Sequence, residues 1–227
     1  MSAPVSVIIP TLNAAAEIGP CLGALGAALL EGVIREVIFA DGGSDDAIAD
    51  VAEETGARLV TAPRGRGSQL AAGATAAKGE WYLFLHADTV LSEGWASAVA
   101  AHMARGRDRA GYFRLAFRSD AAMAELVAGW ANLRARLLGL PYGDQGLLIH
   151  RALYAEVEGY PEIPLMEDVA IARRLRGRLR GIDAVASTSA ARYERRGWIR
   201  QGTRNLTTLA LYLGGTAPAR LDERYRR

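Results

Sequence analysis

Three groups of carboxylates fall where a fold could put them to work. Asp41 and Asp88 each follow an apolar run, and Glu167-Asp168 precedes a helical pattern. Asp88 lies in His86-Ala87-Asp88-Thr89, directly after the aromatic and aliphatic run Trp81 to Leu85. That run has the composition of a strand buried on both faces. In an open α/β sheet, helices cover both faces and ligands enter at the carboxyl edge, so an acid there is a candidate site residue. Mg²⁺ or Mn²⁺ takes oxygen ligands, often one or two carboxylates plus substrate phosphates, and Asp88 suits that role. Asp41, followed by Gly42-Gly43-Ser44, is placed to hydrogen-bond a ribose or base. The loop Pro63-Arg64-Gly65-Arg66-Gly67-Ser68-Gln69 offers amides and guanidinium groups that suit a diphosphate. Each signal alone has a structural explanation, since acids cap helices or complement their dipoles and glycine-rich loops often only connect. His86, His102 and His150 lack the spacing of zinc ligands.

Alternating elements must position these residues. Val5 to Ile9 reads as a strand ended by Pro10, and Ala14 to Leu30 has helical spacing through Ile18, Leu22, Leu25 and Leu29. Val33 to Ala40 is a second strand, followed by a helix capped by Ser44 or Asp45 that runs to about Glu54. Ala57 to Ala62 is a third strand and Leu70 to Lys78 an alanine-rich helix, before the strand that leads to Asp88. This alternation predicts an α/β fold with a mostly parallel, doubly wound sheet flanked by helices. Beyond a helix at 95–104, a more exposed strand is expected at Tyr112–Phe117 and an amphipathic helix at Met123–Leu138. A short strand at Leu147–His150 and a short helix at Leu153–Val157 follow. The acidic pair opens a helix, a strand lies near Ile182–Ser187, and Trp198–Leu213 and Pro218–Tyr225 are helical.

A chain of 227 residues, 50% of them hydrophobic, is long enough for one large domain with its own core. Its charge is uneven: residues 173–227 hold 14 Arg and 4 acids, net +10, and residues 1–172 are net −8. An anionic partner near the C-terminal segment is one explanation; a bias toward Arg, with Lys78 the only Lys, is another. Cys21 is the only cysteine, which fits a reducing compartment. Neither a secretory leader nor a transmembrane run is visible, so a cytoplasmic protein is expected, with peripheral attachment at the inner face of the membrane left open.

The joint pattern resembles family 2 glycosyltransferases of the GT-A fold. The opening Val5-Ser6-Val7-Ile8-Ile9-Pro10-Thr11-Leu12-Asn13 and then Phe39-Ala40-Asp41-Gly42-Gly43-Ser44-Asp45-Asp46 carry the resemblance. So does Leu83-Phe84-Leu85-His86-Ala87-Asp88-Thr89, similar to the segment with the family's Asp-x-Asp motif. Gly143-Asp144-Gln145-Gly146, and Glu167-Asp168 with Arg173-Arg174-Leu175, are similar to the acceptor-side segment and the Glu-Asp motif. The wording is closest to a bacterial subgroup of small members with His-Ala-Asp in place of Asp-x-Asp.

The resemblance implies an inverting, non-processive transfer of a sugar from a nucleotide-diphospho-sugar to an acceptor hydroxyl, assisted by Mn²⁺ or Mg²⁺. Asp168, with Glu167 beside it, would be the catalytic base, and Asp88 the metal ligand. Donor contacts would come from Pro10, Thr11, Asn13, Asp41, Arg64, Gly67, Gln69, His86 and Ala87, with Arg195 and Arg196 closing over the diphosphate. Residues 1–105 would form the nucleotide-sugar half of a single domain, 106–195 the acceptor half, and 196–227 a basic helical segment. His86 departs from the motif's first acid. The Gln-x-x-Arg-Trp of processive members is absent, since Asn205 follows Arg204. Leu206–Leu213 with its flanking arginines leaves a lipid-linked acceptor, a membrane contact and a homodimer open beside packing within the chain; nucleic acid is not expected. Two rivals remain. A sugar-nucleotidyltransferase should carry a glycine-rich basic loop after the first strand, where Pro10-Thr11-Leu12-Asn13 stands. A non-catalytic nucleotide-sugar or membrane-surface binding protein would have no need of Glu167-Asp168.

Overall fold

The computed structural model describes residues 3–226. Eight strands form one sheet: β1 Val5–Thr11, β2 Ile34–Asp41, β3 Arg58–Thr61, β4 Trp81–Phe84, β5 Val90–Leu91, β6 Ala110–Arg118, β7 Leu147–His150 and β8 Leu179–Ser189. Their order is β3-β2-β1-β4-β7-β6-β8-β5. The four strands from β3 to β4 are mutually parallel, and β7 runs antiparallel between β4 and β6. Beyond it, β8 is parallel to β6 and antiparallel to the two-residue β5. This is the α/β, mostly parallel, helix-flanked architecture of the GT-A fold.

The helices are α1 Gly19–Leu30, α2 Ile48–Thr55, α3 Arg66–Ala76, α4 Trp95–Ala104, α5 Ala122–Leu138 and α6 Arg151–Glu156. They continue as α7 Glu167–Arg174, α8 Ala191–Arg196, α9 Trp198–Leu213 and α10 Pro218–Arg226, with a 3-10 turn at Gly143–Gln145. They bury an apolar cluster on each face of the sheet. One side packs Ile18, Cys21 and Leu25 of α1 with Trp95 and Val99 of α4 against Val7, Ile9, Leu83 and Phe113. The other packs Leu70 and Ala74 of α3, Val169 and Ile171 of α7 and Leu209 of α9 against Ile8, Ile38, Tyr82 and Ile149. With both faces covered, the uninterrupted apolar strands are explained and the carboxyl edge is the open side.

The second helix starts at Ile48 and is capped by neither Ser44 nor Asp45, because the Ser44 hydroxyl donates to Asp41. Three other boundaries differ from the sequence expectation for local reasons. The first helix starts at Gly19 rather than Ala14, because Pro20 cannot donate the bond a longer helix would require and belongs in a first turn. The alanine-rich helix starts at Arg66, so Arg66 to Gln69 are its first turn rather than a loop. Gly65 makes that entry with φ +144°, a region that favours glycine. The 112–117 strand runs from Ala110 and buries Phe113 completely, so it is less exposed than its alternating pattern suggests. Among the described residues, no helix is long and apolar enough to cross a membrane. Leu209 is buried, whereas Leu206 and Leu213 of the same helix are exposed.

Candidate active site

The register of β1 on β2 pairs Thr11 with Asp41. At that level the Thr11 hydroxyl donates to Asp41 Oδ1 at 3.0 Å. The Ser44 hydroxyl reaches the same oxygen at 2.5 Å, and the amides of Gly43 and Ser44 donate to Oδ2, each at 2.9 Å. Burial pushes the Asp41 carboxyl up, but these donors outweigh it and hold the group below the usual carboxylate range. Asn13 ties the same rim together: its amide donates to Ser44 Oγ at 2.8 Å and its Oδ1 accepts from Asp45 N at 3.0 Å.

Gln69 sits beneath this rim, buried, and its amide donates to the carbonyls of Thr11 at 2.6 Å and Ala40 at 2.8 Å. It therefore staples the ends of β1 and β2. Gly67 has a packing reason to be glycine, because an added Cβ would collide with the Pro161 carbonyl. Arg64 is exposed, and Arg66 turns instead toward α7, its Nη1 lying 3.6 Å from Glu167 Oε1.

The chain leaves β4 through His86 and Asp88. Thr188 of β8 donates to Asp88 Oδ2 at 3.1 Å, and Arg118 of β6 donates to the Asp88 carbonyl at 2.7 Å. No hydrogen bond from the described residues reaches Oδ1. Beneath this segment lies Cys21, whose thiol is 3.8 Å from the His86 carbonyl and is pushed up to about 12 by burial and Asp88. It is an inert packing group. Burial, with Arg66 and Arg192, pushes the His86 ring well below the usual imidazole range, so it is neutral, and its Nε2 is buried without a partner.

Asp168 arrives from the first turn of α7. Its Oδ2 accepts from Gly143 N at 2.9 Å and its Oδ1 from Val169 N at 2.7 Å. Gly143 joins the two segments: a Cβ placed there would lie 2.6 Å from His86 Nε2 and 3.7 Å from Asp168 Oδ2. Residues 86 and 168, far apart in the chain, thus meet across one glycine. Glu167 is buried beside them, and burial pushes its carboxyl up to about 7 despite the Arg66 guanidinium.

Sequence reasoning gave no individual role to four residues that the structure places around these acids. Asp144, next to Gly143 in the 3-10 turn, has Oδ1 buried without a partner and its carboxyl pushed up to about 6 by burial. Arg134 of α5 is 6% exposed although charged. Arg192, exposed like Arg195 and Arg196, is the α8 arginine whose field reaches His86. Thr188 closes on Asp88 from a strand at the far side of the sheet. Gly143-Asp144-Gln145-Gly146 was visible as a motif, but burial of Asp144 was not. Two arginines of the basic tail have structural partners: Arg174 donates to the carbonyls of Val157 and Gly159 at 3.1 Å each, and Arg178 pairs with Glu156 at 2.7 Å.

The free oxygen of Asp88 suits a Mg²⁺ or Mn²⁺ ion that takes most of its ligands from phosphates and water, whereas the buried Nε2 of neutral His86 is packed against Gly143 and is not an oxygen ligand of the kind these ions take. Among the described residues, no three His, Cys, Asp or Glu side chains are grouped to enclose a metal alone.

Solved structures share this fold. S. aureus TarS 1–349, in complex with UDP-GlcNAc, superposes with a TM-score of 0.66 at 17% identity over 82% of this chain and 58% of that one. Glucosyl-3-phosphoglycerate synthase from Mycobacterium tuberculosis, in complex with Mn2+, uridine-diphosphate and phosphoglyceric acid, gives 0.56 at 22% identity over 82% and 68%. This chain thus spans under two thirds of the length of the TarS chain. No curated protein matches it. The model of the glycosyl transferase family 2 matches residues 6–127, more than half of the chain and the part that carries Asp41 and Asp88, so the chain belongs to the family 2 glycosyltransferases.

Proposed function

We propose that the protein transfers a sugar from a nucleotide-diphospho-sugar to an acceptor hydroxyl in one inverting, non-processive displacement. The observation that carries this reading is the meeting of Asp168 and the His86–Asp88 segment across Gly143. It sets a carboxylate beside the residues that face the donor diphosphate. Each oxygen of Asp168 accepts one backbone amide, which fixes the carboxylate and leaves lone pairs for a substrate proton. Asp168 takes the acceptor's hydroxyl proton as that oxygen bonds to the anomeric carbon, and the nucleoside diphosphate leaves from the opposite face. Arg66 and Arg192 contribute positive potential to the leaving phosphates. Asp88 would hold a divalent cation, which when bound neutralises charge on the diphosphate. Thr11, Asn13 and Asp41 form the rim for the base and ribose. TarS and glucosyl-3-phosphoglycerate synthase, solved with UDP-GlcNAc and with UDP and Mn2+, support a nucleotide-sugar donor and a metal here.

Thermal shift against UDP-, GDP- and dTDP-sugars, with and without Mn²⁺, tests the reading. One donor class is expected to stabilise the fold only with metal, by about 2.7 kcal/mol at ~100 times its Kd. No response to any nucleotide sinks it.

Exposed Leu126, Trp130, Leu133 and Leu137 on α5, with Ile199, Leu206 and Leu213 on the adjoining α9, support a peripheral membrane contact that would bring a lipid-linked acceptor within reach. Co-sedimentation with anionic vesicles, weakened by Trp130→Ser, is the expected outcome; no sedimentation at low salt rejects it.

A further inference from the structure

The connection from β4 to β5 crosses the carboxyl edge, because β7, β6 and β8 stand between those two strands in the sheet. Asp88 lies on that crossing, where no strand ladder fixes the backbone. Side chains and backbone from the far half of the sheet do so instead. Arg118, the last residue of β6, donates from Nη1 to the carbonyls of Asp88 at 2.7 Å and Ser187 at 2.8 Å, so it ties the crossing to β8. Ser92, just past β5, closes the other end: its amide donates to Val185 O at 2.9 Å and its hydroxyl accepts from Val185 N at 3.0 Å. Between these ties, buried Thr188 donates to Asp88 Oδ2 at 3.1 Å, across 100 residues of chain. Arg118 therefore fixes where the Asp88 backbone sits, and Thr188 fixes how its carboxylate is turned.

A carboxylate with one oxygen held by a hydroxyl offers a cation chiefly its other oxygen. Two coordination habits separate on that point. Mg²⁺ and Mn²⁺ keep octahedral shells in which single carboxylate oxygens are completed by phosphates and water. Ca²⁺ takes about six to eight oxygens and commonly uses both oxygens of one carboxylate. The segment Leu85-His86-Ala87-Asp88-Thr89 holds one carboxylate, so the orientation of Asp88 decides what this segment can offer. Resting on the transferase reading above, with Asp88 as its metal ligand, we infer that Arg118 and Thr188 are positioning residues for Asp88 and that the Thr188 hydroxyl sets the choice of cation. By occupying Oδ2 it holds Asp88 to one-oxygen binding through Oδ1, which favours Mn²⁺ or Mg²⁺ over Ca²⁺. Both residues act through Asp88 and neither is a ligand. Removing such an orienting partner typically changes metal affinity by about 10–100-fold.

Mn²⁺ binding to the full chain, followed by loss of the free-ion EPR signal with and without UDP, GDP or dTDP, tests this, with Ca²⁺ and Mg²⁺ as competitors. Thr188→Val keeps the shape of the side chain and removes the hydroxyl. It is expected to weaken Mn²⁺ about tenfold and to shrink the preference for Mn²⁺ over Ca²⁺ by roughly threefold or more, since Oδ2 becomes free to coordinate. Thr188→Ser, which keeps a hydroxyl, should restore both. Arg118→Met should weaken Mn²⁺ and Ca²⁺ alike, by about tenfold, and leave the preference as it was. An unchanged preference in Thr188→Val overturns the proposal even if the melting temperature of the metal-free chain falls, because a merely structural role moves only the latter. Absence of Mn²⁺ binding in every condition overturns it too. If Thr188→Val does not fold, Arg118→Met decides alone, and wild-type Mn²⁺ affinity in that variant overturns the proposal. Failure of the transferase reading looks different: nucleotide-sugars give no thermal shift while Mn²⁺ binding and its dependence on Thr188 persist.

Discussion

The rim built by the ends of β1 and β2 and the rim built by the 3-10 turn and α7 flank one site, and they are constructed in opposite ways. On the first, every oxygen of Asp41 is engaged and Gln69 ties both strand ends. On the second, Arg134, Tyr142, Asp144 and His86 each keep a buried polar atom unmatched, and the carboxyls of Asp144 and Glu167 are pushed up to about 6 and about 7. Satisfied hydrogen bonds fix a shape before a ligand arrives. Open ones hold interaction capacity for a group not yet bound. The contrast fits the division proposed above, with the nucleotide on the first rim and proton transfer on the second.

The sharpest break in this contrast is chemical. Asp168→Asn should lower kcat by about 10²–10⁴-fold while metal-dependent donor stabilisation persists; undiminished transfer would remove Asp168 as base. Asp88→Asn comes next, with about 10²-fold lost in kcat/KM and the Mn²⁺-dependent part of the donor thermal shift abolished. On the satisfied rim the loss should appear as stability instead. Gln69→Leu removes two buried bonds and should cost about 2 kcal/mol in denaturant melts, with weaker donor binding following from loosened strand ends.

The titration of the two rims should also have opposite signs. Glu167 and Asp144 hold protons in the folded chain at a pH where the unfolded chain, with carboxyls near 4.5 and 3.8, has released them. Their contribution is therefore lost as pH rises from about 4 to about 7. Asp41, held low, contributes in the other direction and loses its contribution as pH falls through its folded value. Melting temperature against pH for wild type and Glu167→Gln checks this: the variant should flatten the decline toward neutral pH and leave the acid limb unchanged. The smallest effect is expected at the solvent edge of α8. Arg195→Ala should change stability by less than about 0.5 kcal/mol and donor binding less than Arg192→Ala does, and the reverse order would favour Arg195 as the arginine that closes over the diphosphate.

The order of strands and helices up to residue 105, and the acids at the ends of β2 and β4, were legible because apolar runs buried on both faces leave a strong local pattern. Asp41, Asp88 and Asp168 follow from that pattern and from motif likeness. Gln69 and Gly67 read as a phosphate loop because glycine and basic residues look alike in a loop and in a packed helix start; only the proximity of Thr11, Ala40 and Pro161 reveals their use. The burial of Arg134 and Asp144 was illegible for the same reason, since burial of a charged group depends on what the rest of the chain folds over it.

The sequence by itself determined the alternation of elements, the family and the acids at the open edge, all of which rest on periodicity and short motifs. Only the tertiary structure decided that Asp168 and His86 share Gly143, that Thr188 reaches Asp88, and that Arg134 and Asp144 are left with open bonds. Those relations join residues far apart in the chain, and no local preference encodes the distance between them.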